Sequence, residues 1–226
     1  MEQLLYLLAI TATCVAFPQD LSGKMFTFPV GSNTDHVRLM PSRENFTSVS
    51  VCLRSFTDLS RGHTLFSLAT QTHFNDIVLF KRNQDDQIRL HIRDGTADFM
   101  GQSYGLNRWH SICLTWHSET GLGQIWLDGQ PSARKFVRSG EAINGSTFIV
   151  LGQDQDRFGG GFNTRQSFVG MLADVHMWDY VLSYCEITRF TNNDNFTPGN
   201  ILNWRGLEFD SIGNVIVENR TPEYCF

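Results

Sequence analysis

Short runs of β-branched and aromatic residues, each closed by Gly, Asn, Asp or Pro, recur along this chain. Val49-Ser50-Val51-Cys52-Leu53-Arg54-Ser55-Phe56, Ile88-Arg89-Leu90-His91-Ile92 and Ile112-Cys113-Leu114-Thr115-Trp116 alternate wholly or in part. A period of two puts every second side chain on one face, as a half-buried sheet requires. Ile125-Trp126-Leu127 runs into Asp128-Gly129, a pair that takes up the left-handed conformations of a tight hairpin. One helix is predicted, near 183–191. Ser183 stands at its N-cap with Glu186 three residues on, and Asn192-Asn193-Asp194-Asn195 stops it. No internal repeat, low-complexity tract or Pro/Ser-rich linker divides the chain. A single all-β sandwich with one surface helix is the expected architecture.

The 226 residues are ample for a buried core without help from a metal or a disulfide. The net charge is −5 and the bases are scattered singly, so nothing here forms a basic stripe for nucleic acid. The apolar run at 4–16 is too short to span a bilayer as a helix. Cys14-Val15-Ala16 has the spacing of a signal-peptidase site. Residues 1–16 are therefore read as a secretory signal and 17–226 as the mature domain of a secreted protein. Charges interrupt every later apolar run, which argues against membrane insertion. Of four N-glycosylation sequons, those at Asn195 and Asn219 are followed by Pro, leaving Asn45 and Asn144 as the candidate acceptors. Loss of the signal removes Cys14 and leaves Cys52, Cys113, Cys185 and Cys225, an even number suited to an oxidising compartment. Their spacing leaves all three pairings open.

Candidate chemistry concentrates at 152–170, where Asp154, Asp156, several amides and Gly159-Gly160-Gly161 precede an apolar run. Carboxylate and amide oxygens on a flexible loop are what Ca²⁺ requires, with ~6–8 oxygen ligands. The competing reading is a solvated turn. An EF-hand does not account for the segment, because Phe158 and Arg165 fall where that loop needs an oxygen and a bidentate Glu. Asp154 and Asp156 also raise the alternative of a glycoside hydrolase, which needs two carboxylates flanking a cleft. Nothing else supports an enzyme. The seven histidines are dispersed, and neither H-E-x-x-H nor G-x-S-x-G occurs. His91, His117 and His176 read as strand histidines, and Trp116, Trp126 and Trp178 as core.

Nearly the whole mature chain resembles the pentraxin family. The resemblance is carried by Ile112-Cys113-Leu114-Thr115-Trp116-His117-Ser118, the run from Gly152 to Gly170, Met177-Trp178-Asp179 and Ile201-Leu202-Asn203-Trp204. It departs slightly at Ser111, where the family has His two residues before its Cys. The resemblance implies a flattened jelly-roll (lectin-like) sandwich, a Cys52–Cys113 disulfide, a cyclic pentamer and two calcium ions per subunit. Cys185 and Cys225 would then pair with each other, an interchain bond being the rival. The implied calcium ligands are Asn75, Asp154, the backbone carbonyl of Gln155, Asp156, Asn163 and Gln166. Phe74 stands where the family has an Asp, with Asp76 close by as a substitute. Asp154 replaces a Glu, and Asn163 replaces an acid. Fewer charged ligands imply weaker binding, chiefly at the second position formed by Asn163 and Gln166. Phe80 matches the apolar residue that packs on choline methyls, and Asp94 or Asp98 lies where an acid meets the choline nitrogen. The implied function is calcium-dependent pattern recognition of phosphocholine, phosphoethanolamine or carbohydrate on microbial or damaged-cell surfaces. The setting is innate immunity and the acute phase, with complement-type proteins as further partners. The alternative is a calcium-independent oligomeric interaction protein.

Overall fold

The computed structural model describes residues 17–84 and 86–220. Two antiparallel sheets face each other. The first holds β1 (Lys24–Phe28), β3 (Ser48–Phe56), β8 (His110–His117), β9 (Leu122–Leu127), β10 (Gln130–Pro131), β11 (Lys135–Phe136), β13 (Gly170–Trp178) and β15 (Ile216–Asn219). Its order is β10-β9-β8-β3-β13-β1-β15, with β11 also on β9. The second holds β2 (His36–Met40), β4 (His63–Thr70), β5 (Ile77–Lys81), β6 (Ile88–Ile92), β7 (Gly95–Phe99), β12 (Thr147–Leu151) and β14 (Glu208–Ile212). Its order is β14-β2-β12-β4-β5-β6-β7. The predicted all-β sandwich is the observed one.

The alternation in β3 sorts its side chains onto two faces. Val49, Val51 and Leu53 enter the core between the sheets with Phe26, Phe66, Leu79, Leu114 and Trp116. Cys52 faces the other way, into a second cluster with Cys113, Trp126, Trp178, Leu182, Ile187 and Phe190. The helix α1 (Tyr184–Thr191) covers this outer face through Ile187 and Phe190. Every residue of β3 but Phe56 is buried as a result. Cys52 and Cys113 lie opposite each other in the β3–β8 register and are bonded, with Cα atoms 4.1 Å apart. That separation lies slightly below the usual ~4.4–6.8 Å, as expected for cysteines directly opposite each other on paired strands. The cysteine proposed to pair with Cys185, Cys225, lies outside the described residues, and Cys185 is exposed.

Local signals in the sequence account for the ends of α1 and for the tightest hairpin. Ser183 caps α1, its Oγ accepting from the Glu186 amide at 3.3 Å, and Asn192 ends it. At the other end Arg54 of β3 donates to the Phe190 carbonyl at 2.6 Å and to Asp174 at 2.9 Å, joining the Asn193 amide as a donor to a carbonyl of the last helical turn. Asp128 and Gly129 both have positive φ, +49° and +77°, as the β9–β10 hairpin demands.

Candidate metal centre

The segment joining β12 to β13 carries most of the residues singled out above. Gly152 opens it at φ +83°, and a Cβ there would stand 2.4 Å from the Phe28 ring, so only glycine fits. The loop then folds back over the second sheet. The fully buried Gln155 side chain donates to the Phe148 carbonyl of β12 at 2.9 Å and accepts from the Gly159 amide at 3.0 Å. It also reaches Ser67, which lies between the core residues Phe66 and Leu68 and therefore on the outward face of β4. The side chain of Gln155 is thus an anchor, and its main-chain carbonyl remains as the group considered for a cation. Gln153 fastens the loop start to the Ser32 and Asp35 carbonyls at 2.8 and 2.9 Å. At the loop end the Thr64 amide donates to the Gln166 carbonyl at 2.9 Å, and Arg61 donates to the Ser167 carbonyl at 2.7 Å. Sequence reading missed the anchoring roles of Gln153, Ser67 and Arg61, whose partners are distant in the chain.

Asp154 is only 7% exposed. Its Oδ2 accepts from the Gln166 amide nitrogen at 2.8 Å, while its Oδ1 is buried without a hydrogen-bond donor. Burial first, and the neighbouring Asp156 charge second, push its pKa up to about 6. A buried carboxylate oxygen without a donor is costly. A hard cation between Asp154 and Asp156 would satisfy that oxygen and offset the like-charge repulsion, so these residues fit one ion. Asp156 is exposed, and Gly161 at φ +77° lies against its Cβ. Asn163 is exposed with its Oδ1 accepting from the Arg165 amide at 3.0 Å, which occupies part of its capacity as a ligand. Among the described residues no group of three or more His, Cys, Asp or Glu converges. The charge here comes from Asp154 and Asp156, with amides around them.

The segment before β5 differs from the expectation at one point. Asn75 is partly buried and donates to Asp94 at 3.4 Å, which leaves its amide oxygen available. Phe74 is 39% exposed and supplies no oxygen. Asp76 does not replace it. Its carboxylate is fully buried, accepts from the Thr70 hydroxyl at 2.5 Å and pairs with Arg93 at 3.6 Å. Arg93 and Asp94 form the β6–β7 turn, both at positive φ, and their amides bind the Asp76 and Asn75 carbonyls. That turn holds Asp76 inward.

Phe80 is half-buried on the outward face of β5, and a Cβ on Gly62 would stand 3.0 Å from its ring. Its register partners are Thr64 on β4, beside the loop end, and Arg89 on β6. Of the two acids considered near a choline nitrogen, Asp98 is engaged at both oxygens by Arg89, at 2.7 and 2.6 Å. Asp94 is held at Asn75. Away from this loop, Asn45 and Asn144 are both exposed and near each other, flanking the Phe46–Ile143 bridge, with the Asn45 Oδ1 accepting from the Gly145 amide at 3.0 Å.

A family model described as the Pentaxin family matches residues 24–219. C-reactive protein of Sus scrofa is 40% identical, covering 96% of this chain and 98% of its own. Serum amyloid P-component of Sus scrofa is 38% identical over 97% and 99%, respectively. The native heptameric SAP-like pentraxin from Limulus polyphemus has a TM-score of 0.81 at 24% identity, covering 88% of this chain and 96% of that one. The sheet order, the bonded β3–β8 pair and these matches together place the chain in the pentraxin family.

Proposed function

We propose that the protein is a secreted, calcium-dependent recognition protein that binds phosphate-bearing or carbohydrate ligands on cell surfaces. Its family consists of binding proteins, and it is not an enzyme. The similarity to C-reactive protein and serum amyloid P-component supports a role in pattern recognition, innate immunity and the acute phase. Among the described residues no helix is long and apolar enough to cross a membrane.

The observation that carries the calcium reading is the buried, donorless Oδ1 of Asp154 beside Asp156. Asp154, Asp156, the Gln155 carbonyl and Asn75 would hold the first ion. Asn163 and Gln166 would hold a weaker second one. A bound calcium supplies positive charge that receives a phosphate or a pair of sugar hydroxyls. The chain's own residues set the geometry: Gln155 and Gln153 fix the loop, Gln166 orients Asp154, and Phe80 offers an apolar wall. A homo-oligomer, a cyclic pentamer in the family pattern, would multiply modest single-site affinities ~10²–10⁴-fold. The related Limulus protein assembles as a heptamer.

The buried Asp76 and the exposed Phe74 favour a second reading, a calcium-independent interaction protein that keeps only the assembly. Calorimetry with calcium separates the two, followed by retention on immobilised phosphocholine, phosphoethanolamine and agarose with and without chelator. Binding with chelator-sensitive retention is expected. No heat at millimolar calcium would transfer the case to the second reading.

A further inference from the structure

Beyond the candidate cation site the outward face of the second sheet continues over β5, β6 and β7, and the strand registers fix which side chains meet there. Gln155 reaches Ser67, the partner of Val78 on β5, so the loop and Asn75 border the Val78 end of this face. Beside Val78 lie His91 of β6 and Thr96 of β7. Two residues further along the strands, ~6–7 Å away, lies the row Phe80, Arg89 and Asp98. Arg82 follows on the same face, its amide continuing the ladder to the Gln87 carbonyl at 3.0 Å. A short ligand whose phosphate meets the cation and which runs along this face ends on the Phe80 row.

Pairing decides the charge of that row. Both Asp98 oxygens accept from Arg89, at 2.7 and 2.6 Å, a two-pronged pair that neutralises the acid. Asp94 stands at the opposite end, at Asn75. Arg82 makes one long bond, from Nε to the Gln87 amide oxygen at 3.3 Å, and pairs with no carboxylate among the described residues. Burial first, and the Arg89 charge second, lower the His91 pKa to about 4, so its ring is uncharged at neutral pH. Arg82 and Arg89 set against Asp98 leave one positive charge around Phe80. A quaternary ammonium would gain the Phe80 ring face and meet that charge. An anion would meet planar guanidinium donors suited to a carboxylate or a phosphate.

We propose that the ligand carries a second anionic group next to its calcium-bound phosphate, and that Arg82 and Arg89 receive it while Phe80 packs on the carbons between. This names the ligand class of the same site and rests on the calcium reading above. Arg89 has two effects at once: it donates toward the anion, and by holding Asp98 it withdraws the acid that a cationic ligand would use. The two arginines therefore set specificity against trimethylammonium ligands of the phosphocholine type.

Calorimetry of the mature chain at saturating calcium, with phosphocholine and phosphoglycolate as probes, tests this. Both probes present a phosphate, so the metal contact is shared and the difference reports the neighbouring group. Phosphoglycolate, with a carboxylate in place of the trimethylammonium, should bind roughly tenfold more tightly, the worth of a charge-assisted hydrogen bond. Arg89→Gln unpairs Asp98 against Arg82 and should erase that preference. The Arg82→Gln/Arg89→Gln double variant leaves Asp98 alone and should reverse it. The heat of calcium binding should match the parent in both variants, and a mere loss of packing would weaken the two probes alike. Phosphocholine bound by the parent as tightly as phosphoglycolate, or a preference that both variants keep, overturns the proposal while calcium binding stands. Absence of calcium heat in the parent removes the calcium reading and the proposal with it.

Discussion

At Asp154 the demands of folding and of the proposed calcium site oppose each other. Its carboxylate is buried, one oxygen lacks a donor and Asp156 repels it. In the absence of metal it should destabilise the fold, and with a folded pKa of about 6 against 3.8 the cost approaches ~3 kcal/mol at neutral pH. Replacing Asp154 by Asn, which keeps the shape and removes the charge, should raise the urea midpoint in chelator and abolish the further rise that calcium gives. An unchanged midpoint in chelator would show that the charge is already compensated. Asn163→Asp should act oppositely, strengthening calcium binding by restoring a charged ligand. Calorimetry reads that change directly. The buried His63 and His176 and the half-buried His91 carry a separate pH dependence. Burial lowers His63 and His91 to about 4 and His176 to about 3, from 6.5. Below 6.5 the unfolded chain binds more protons than the folded one. The stability present above 6.5 is therefore lost as pH falls toward these values, by up to ~1.4 kcal/mol per pH unit for each group. His176→Gln, measured by urea unfolding between about pH 7 and 5, should flatten that slope, since Gln retains an acceptor for the Gly199 amide that His176 now binds.

The loop at 152–170 and the helix α1 form on different terms. The helix is written locally: Ser183 caps it, Glu186 and Arg189 pair at 3.0 Å, and Ile187 and Phe190 bury one side. Ser183→Ala should cost ~1 kcal/mol, seen as a lower thermal midpoint with the sheet unaffected. The loop is written by the sheet beneath it. Its glycines grant the turns, but Gln155 and Gln153 hold their conformation by bonds to Phe148, Ser67, Ser32 and Asp35. The amides read at first as metal ligands therefore divide into anchors and candidate ligands. The resemblance named the Gln155 carbonyl as a ligand, but that its side chain anchors the loop to the sheet was not legible in the sequence.

At the scale of the whole molecule the Cys52–Cys113 bond joins two strands that are already neighbours, deep under α1. It closes a loop of 61 residues, which by the chain-entropy account is worth ~4 kcal/mol against the unfolded state. Reduction, or the Cys52→Ala/Cys113→Ala double variant, should lower the unfolding free energy by about that amount without changing the circular dichroism. An unaffected stability would mean that the paired strands constrain the unfolded chain without the bond. Peptide mapping under non-reducing conditions decides whether Cys185 and Cys225 pair within the chain or between copies. The first result would fasten the chain end to α1, and the second would add a covalent link to the assembly.

The sequence by itself determined what depends on local pattern and on composition. Alternation named β3, β6 and β8, Asp128-Gly129 named the β9–β10 hairpin, and the Ser183–Glu186 spacing named α1. Each rests on a period or a cap that acts within a few residues. The clustering of oxygens between Gly152 and Gly170 was equally visible. Only the tertiary structure decided how those oxygens are used, because that depends on burial and on partners far along the chain. It turned Asp76 inward to Arg93 and Thr70, gave Gln155 to the sheet and left one oxygen of Asp154 without a donor. It also set Arg89 between Phe80 and Asp98 across three strands, a relation that strand register creates and that no spacing along the chain contains.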